Sequence, residues 1–136
     1  MAKGGGDILE VSYKHPTLGQ GVLAVKSDED SELDLGGFRT ADDEKSIASN
    51  GEDIPVMTRS RWSATFVMAP DFTTAADQQA VTDMAGNAVP AEWTITHITG
   101  AIYRGTGRPV GDVKAAFKAG TIQLKISGGS IAKLVS

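Results

Sequence analysis

Apolar and polar side chains alternate along most of this chain. Ile122, Leu124 and Ile126 alternate with Gln123, Lys125 and Ser127, and Trp62, Ala64, Phe66 and Met68 alternate with Ser63, Thr65 and a preceding Arg61. A period of two puts one set on each face of a half-buried strand. The same reading predicts strands over 9–13 (Leu9, Val11, Tyr13), 21–26 (GVLAVK) and 57–68. In ELDLGGF it sets Leu33 and Leu35 towards a core and Glu32 and Asp34 away from it. WTITHI (93–98) and AIYRG flank Thr99-Gly100, and VKAAFK (113–118) and TIQLKIS flank Ala119-Gly120. Short turns containing glycine between alternating runs predict two hairpins.

The pattern changes twice. Residues 74–85 predict the one helix: Ala76, Ala80 and Met84 recur at a spacing of four, with Val81 beside them. Thr73 or Thr74 is placed to cap it, Asp77 falls in its first turn, and Gly86 is placed to end it. Residues 39–55 have no apolar period and carry Ser, Asn, Gly, Asp and Pro55, which predicts a long polar loop. About seven strands that are neighbours in sequence, with one helix, predict a mainly β domain, an antiparallel β-sandwich or barrel with one flanking helix.

Composition narrows the chemistry. The 136 residues suit one domain, and no residue is cysteine, so disulfides, thiolate metal sites and thiol catalysis are excluded. No apolar run approaches the ~18–20 residues that a spanning helix needs, and the first residues lack a signal-peptide core. The expectation is a protein made and used in a cytoplasm. The net charge of −4 is uneven: residues 28–53 hold ten of the seventeen acids and only two bases, Arg39 and Lys45. Such a run is usually a solvated face, or else a surface that repels something anionic.

YRGTGRPVGDVK (103–114) carries three glycines among basic residues, which raises the question of a phosphate loop. A dinucleotide fingerprint needs a helix after its glycines. Here an alternating, strand-like stretch follows, so the glycines predict a strand with a bulge or sharp bend, where they supply unusual dihedrals. His15 and His97 are far apart and not in a metal-ligand spacing. No nucleophile-base-acid set stands out, and aromatic residues, at 6%, are too few and too far from bases to predict nucleic-acid binding. The residues point away from an enzyme, and no cofactor is expected.

The order of features resembles a known family. LDLGGFRT, a polar loop with Asn50-Gly51, TRSRWSATF, one helix, and then TITHITGAIYRGTGRPVGDVKAAFKAGTIQLKISGGSIAKL look like the tail tube proteins of contractile-tailed bacteriophages, particularly the Mu-like group. The shared pattern is "YxGTGxxVGD/E" between strands. It is best over 91–134, weaker over 20–68 and absent over 1–18, so an N-terminal extension (1–18) ahead of a tail-tube domain (19–136) is expected. The resemblance implies a structural subunit whose hexameric rings stack into a hollow tube, with inner strands joined around a channel for DNA. It implies as partners further copies of itself, a tail sheath, and baseplate and tape-measure proteins, and as location a virion tail assembled in a bacterial cytoplasm. DNA would pass without specific binding, because many cationic contacts would stall it. Glu32 and Asp34 are therefore expected to face the lumen. The long loop, with Asp42, Asp43, Glu44 and Asn50, is expected between subunits, and Arg59 and Arg61 are expected to pair with a neighbour's acids. A single-ring tube initiator, a tail-completion protein and a non-viral binding module are the alternatives.

Overall fold

The computed structural model describes residues 6, 8–26, 31–40, 47–70, 76–129 and 132–135. Its elements are β1 (Ile8–His15), β2 (Gly19–Leu23), β3 (Glu32–Asp34), β4 (Gly37–Thr40), β5 (Met57–Ser60), β6 (Trp62–Met68), α1 (Ala76–Ala85), β7 (Ala91–His97), β8 (Ile102–Val110), β9 (Ala115–Ala116), β10 (Thr121–Gly128) and β11 (Lys133–Leu134). The strands pair antiparallel along the path β2-β1-β7-β8-β10-β6-β3, with β11 on β8 and β9 on β10. This is the mainly β sandwich with a flanking helix that the alternation predicts. Trp62, Ala64, Phe66 and Met68 are at most 1% exposed, as are Ile122, Leu124 and Ile126. They meet Val11, Leu23 and Trp93, with Val81 and Met84 of α1, in one core.

Two strands turn the corners between the layers. β8 pairs with β7 as far as Gly107 and with β10 from Arg108 onward. On the other side, β2 ends at Leu23, and the chain then crosses to β6. Val25 bridges Met68, with Lys26 N–H donating to Val67 O and Ala69 N–H to Ala24 O, each at 2.9 Å. A strand that switches sheets is how a sandwich closes its corners. We name the β2-β1-β7-β8-β11 side the A layer and the β8-β10-β6-β3 side the B layer.

The β8 corner answers the question of the glycines. Neither Gly105 nor Gly107 has positive φ; of the three, only Gly111 does, at φ 75. The reason for glycine is close approach, not unusual dihedrals. A Cβ on Gly105 would lie 2.9 Å from the Trp62 ring. One on Gly107 would run into Ser127 O, and one on Gly128 into Thr106 O. With the backbones this close, both buried indoles reach carbonyls at the corner: Trp62 Nε1–H donates to Thr106 O and Trp93 Nε1–H to Gly107 O, each at 2.9 Å.

Several expectations are corrected. Residues 1–18 are not an extension ahead of the domain: β1 lies between β2 and β7, and Val11 is fully buried. The strand expected over 57–68 breaks at Arg61, because its first part pairs with β4 and its second with β10 and β3. The strand expected over 113–118 shrinks to β9. Leu35 is 41% exposed, outside the core, since β3 ends at Asp34. On α1 the buried pair is Val81 and Met84, while Ala76 is exposed; Thr73 and Thr74 lie outside the described residues. The helix does stop at Gly86, where Gly86 N–H still reaches Thr82 O at 3.2 Å.

Candidate assembly surfaces

β4 and β5 form a two-stranded ribbon of their own, outside the main sheet. Its register pairs Phe38 with Arg59 and Thr40 with Met57. Beyond it a second small turn is held by the Ile47–Asp53 bridge, with Gly51 N–H donating to Ala48 O and Ala48 N–H to Glu52 O, each at 2.8 Å. Asn50 Oδ1 accepts from Glu52 N–H at 3.1 Å, and Gly51 sits at φ 88, which an L side chain resists. So Asn50, expected at a subunit contact, here shapes this turn. Asp42, Asp43 and Glu44 lie outside the described residues.

The ribbon is too thin to bury its own apolar side chains. Phe38 and Met57 are each 62% exposed, and Ile47, Ile54 and Val56 are also exposed. The alternation could not flag this patch, because its apolar residues sit among Gly, Pro and charges without a period. Arg59 lies over the Phe38 ring, 4.7 Å from its centre, a cation–π contact across the ribbon. Arg61 is exposed at the break between β5 and β6 and has no charged partner among the described residues.

Glu32 and Asp34 lie on the outer face of the B layer, as alternation requires. Two neighbours change their electrostatics. Asp34 Oδ1 accepts from the Arg39 guanidinium and from Gly36 N–H at 2.9 Å, so its charge is balanced within the chain. Glu32 pairs across β6 with Thr65, and Thr65 pairs with Lys125. The row Glu32, Thr65, Lys125 is therefore of mixed sign.

The outer face of the A layer is rich in hydroxyls. One row runs Val22, Ser12, Thr94, Arg104, Lys133; the next runs Gln20, Lys14, Glu92, Thr106. Arg104 Nε stands 3.3 Å from Glu92 Oε1, with both side chains half exposed. The face thus has alternating charges and no apolar patch of size except at its edges.

Both histidines hold turns. His15, 3% exposed, accepts at Nδ1 from Thr17 N–H and Leu18 N–H at 3.1 and 3.0 Å, and its Nε2–H donates to Val89 O at 2.8 Å. His97 accepts at Nδ1 from Thr99 N–H at 3.3 Å, while Nε2–H donates to Gly6 O at 3.0 Å. Burial pushes the Tyr13 phenol above its ordinary pKa, with the charge of Asp77 adding to the effect. Tyr13 packs against Trp93 with ring centres 5.6 Å apart. Among the described residues no group of three or more His, Asp or Glu side chains is gathered as a metal site.

A scan of the chain against family models found no match, and neither did a search of curated proteins.

Proposed function

We propose that this protein is the structural subunit of a phage-type tail tube. Copies close into rings, rings stack, and the hollow tube conducts DNA during ejection, in contact with sheath, baseplate and tape-measure proteins. The observation that carries the reading is the β4–β5 ribbon: a projection with five exposed large apolar side chains that one copy cannot bury. Contiguous exposed apolar surface marks an interaction site, and an arm of this kind fits between stacked copies. The sandwich architecture and the resemblance over 91–134 support the same reading. In it, Arg61 meets acids of a neighbouring copy, and Arg59 holds the Phe38 ring in place for docking.

Electron microscopy of the concentrated, purified protein tests this. Stacked rings or tubes are the expected result. Particles that stay monomeric at high concentration and low salt would overturn the reading. Single rings that never stack would assign the chain to a tube initiator instead.

A further inference from the structure

The search turned up three surfaces without a partner: the ribbon, which the proposed function already uses; a groove of about 430 Å³ between Leu33, Leu35, Ile95 and Tyr103, for which no occupant is indicated; and the two free edges of the A layer. The edges carry an inference.

Edge strands are usually guarded by charge, proline or a bulge. β3, the edge of the B layer, follows that rule with Glu32 and Asp34. β2 does not. Its sequence, GQGVL, has no charged residue and no proline, it pairs with β1 in continuous register, and no described strand covers its other side. Val22 is 58% exposed, and Leu18, in the turn before it, is 45% exposed. At the opposite edge, β11 covers β8 only at Tyr103 and Arg104, and Val135 N–H continues the pairing to Ile102 O at 2.7 Å. Leu134 and Val135 there are 59% and 51% exposed.

From these edges we infer that β2 of one copy pairs with β11 of the next, so that the A layers of all copies run on into one closed sheet. The occupant is a second copy because one head-to-tail contact, repeated, satisfies both open edges together; any other partner would leave one edge bare. Strand direction adds a constraint. The order β2-β1-β7-β8-β11 has five strands, each antiparallel to its neighbour, so the first and last point the same way. A rotational ring keeps that direction from copy to copy, and the junction is parallel. A two-fold β2–β2 dimer would instead be antiparallel. The inference rests on the proposed ring and names the contact that closes it.

The chain has no cysteine, so introduced thiols report contacts without background. Val22 and Lys133 lie in one row of the outer face, and Val135, two residues on, lies on that same face. Two double variants, Val22→Cys with Lys133→Cys and Val22→Cys with Val135→Cys, sample two registers of the junction. The expected result is that mild oxidation of assembled protein converts at least one double variant to a covalent ladder on a non-reducing gel. Each single variant should stay monomeric. A second variant, Gln20→Lys with Val22→Lys, should keep the monomer's circular dichroism and lose ring formation. Tubes seen by microscopy with no ladder from either double variant would overturn the edge assignment and leave the tube reading standing. A dimer from Val22→Cys alone would overturn it in favour of a two-fold contact. Absence of rings, tubes and ladder together would overturn both.

Discussion

At the scale of single residues, the β8 corner depends on missing side chains. Gly128 has no room for a methyl group because Thr106 O occupies it, whereas nothing lies within 4 Å of a Cβ on Gly129. Both neighbours at Gly128 are held, since Thr106 O also accepts from the Trp62 indole. Gly128→Ala is therefore expected to lose about 1–3 kcal/mol, the usual cost of overpacking a filled core, and Gly129→Ala to change little. Denaturant midpoints of the two variants check this; equal midpoints would show that the corner relaxes. Tyr13 gives a second test. Its phenol is held neutral by burial first and by Asp77 second, so its folded pKa lies above the ordinary 10.0. A group whose pKa is raised on folding contributes fully below the unfolded value, and that contribution falls as pH rises through the folded one. Stability should hold to about pH 10 and fall above it, with Tyr13→Phe removing part of that slope. Unfolding midpoints between pH 8 and pH 11 measure it, and an unchanged slope in the variant would rule the assignment out.

Elements show where reading the sequence stops short. Strands whose alternation reflects burial on one face, such as β6 and β10, were legible because the pattern and the burial have the same cause. The Thr99-Gly100 turn was legible because it is local: Gly100 sits at φ 96, and its N–H donates to His97 O at 2.9 Å. What could not be read depends on partners far away in sequence. Nothing in 57–68 says that Ser60 belongs with Gly37 while Trp62 belongs with Gly128. Nothing in GVLAVK says that Val25 leaves β1 for β6. The candidate site was half legible: Glu32 and Arg61 lie exposed as alternation implied, but the capture of Asp34 by Arg39 is a tertiary contact between β3 and β4. The ribbon was expected as a polar loop, and its apolar character gives the element-scale prediction. Phe38→Ser with Met57→Ser removes two side chains that contribute nothing to the core. Thermal unfolding of the monomer should stay within about 1 °C of the parent, since exposed substitutions typically shift stability by less than about 0.5 kcal/mol. Assembly, followed by sedimentation or light scattering, should be lost. Tubes of normal length from this variant would exclude the ribbon as the stacking contact.

At the scale of the whole molecule, one sandwich can turn only one of its two faces to a channel. The sequence favoured the B-layer face, with Glu32 and Asp34. The edges favour the A layer, by geometry. Packed layers lie ~10 Å apart, so in a ring the outer layer travels a circumference roughly 60 Å longer than the inner one at that spacing. Copies that meet strand to strand without gaps must therefore meet in the inner layer, and the layer with two open, complementary edges is the A layer. In the proposed tube the channel wall is then the face with Ser12, Thr94, Thr96 and Thr106, its Arg104 and Glu92 paired with each other. That face suits passage of DNA differently from an acidic ring: it offers hydroxyls and balanced charges, and the paired cations are not free to hold phosphates. Thr106→Lys adds one unbalanced cation per copy at an exposed position of this face. Glu32→Lys adds as much or more on the opposite face without touching the Asp34–Arg39 pair. Both variants should assemble. Genome ejection should slow for Thr106→Lys, and most at low salt, where screening lengths grow from ~8 Å near physiological salt to ~30 Å at 0.01 M; Glu32→Lys should eject at the parent rate. The reverse pair of results would return the channel to the B layer and the acidic lining, because the two faces point opposite ways and a cation slows DNA only where DNA runs.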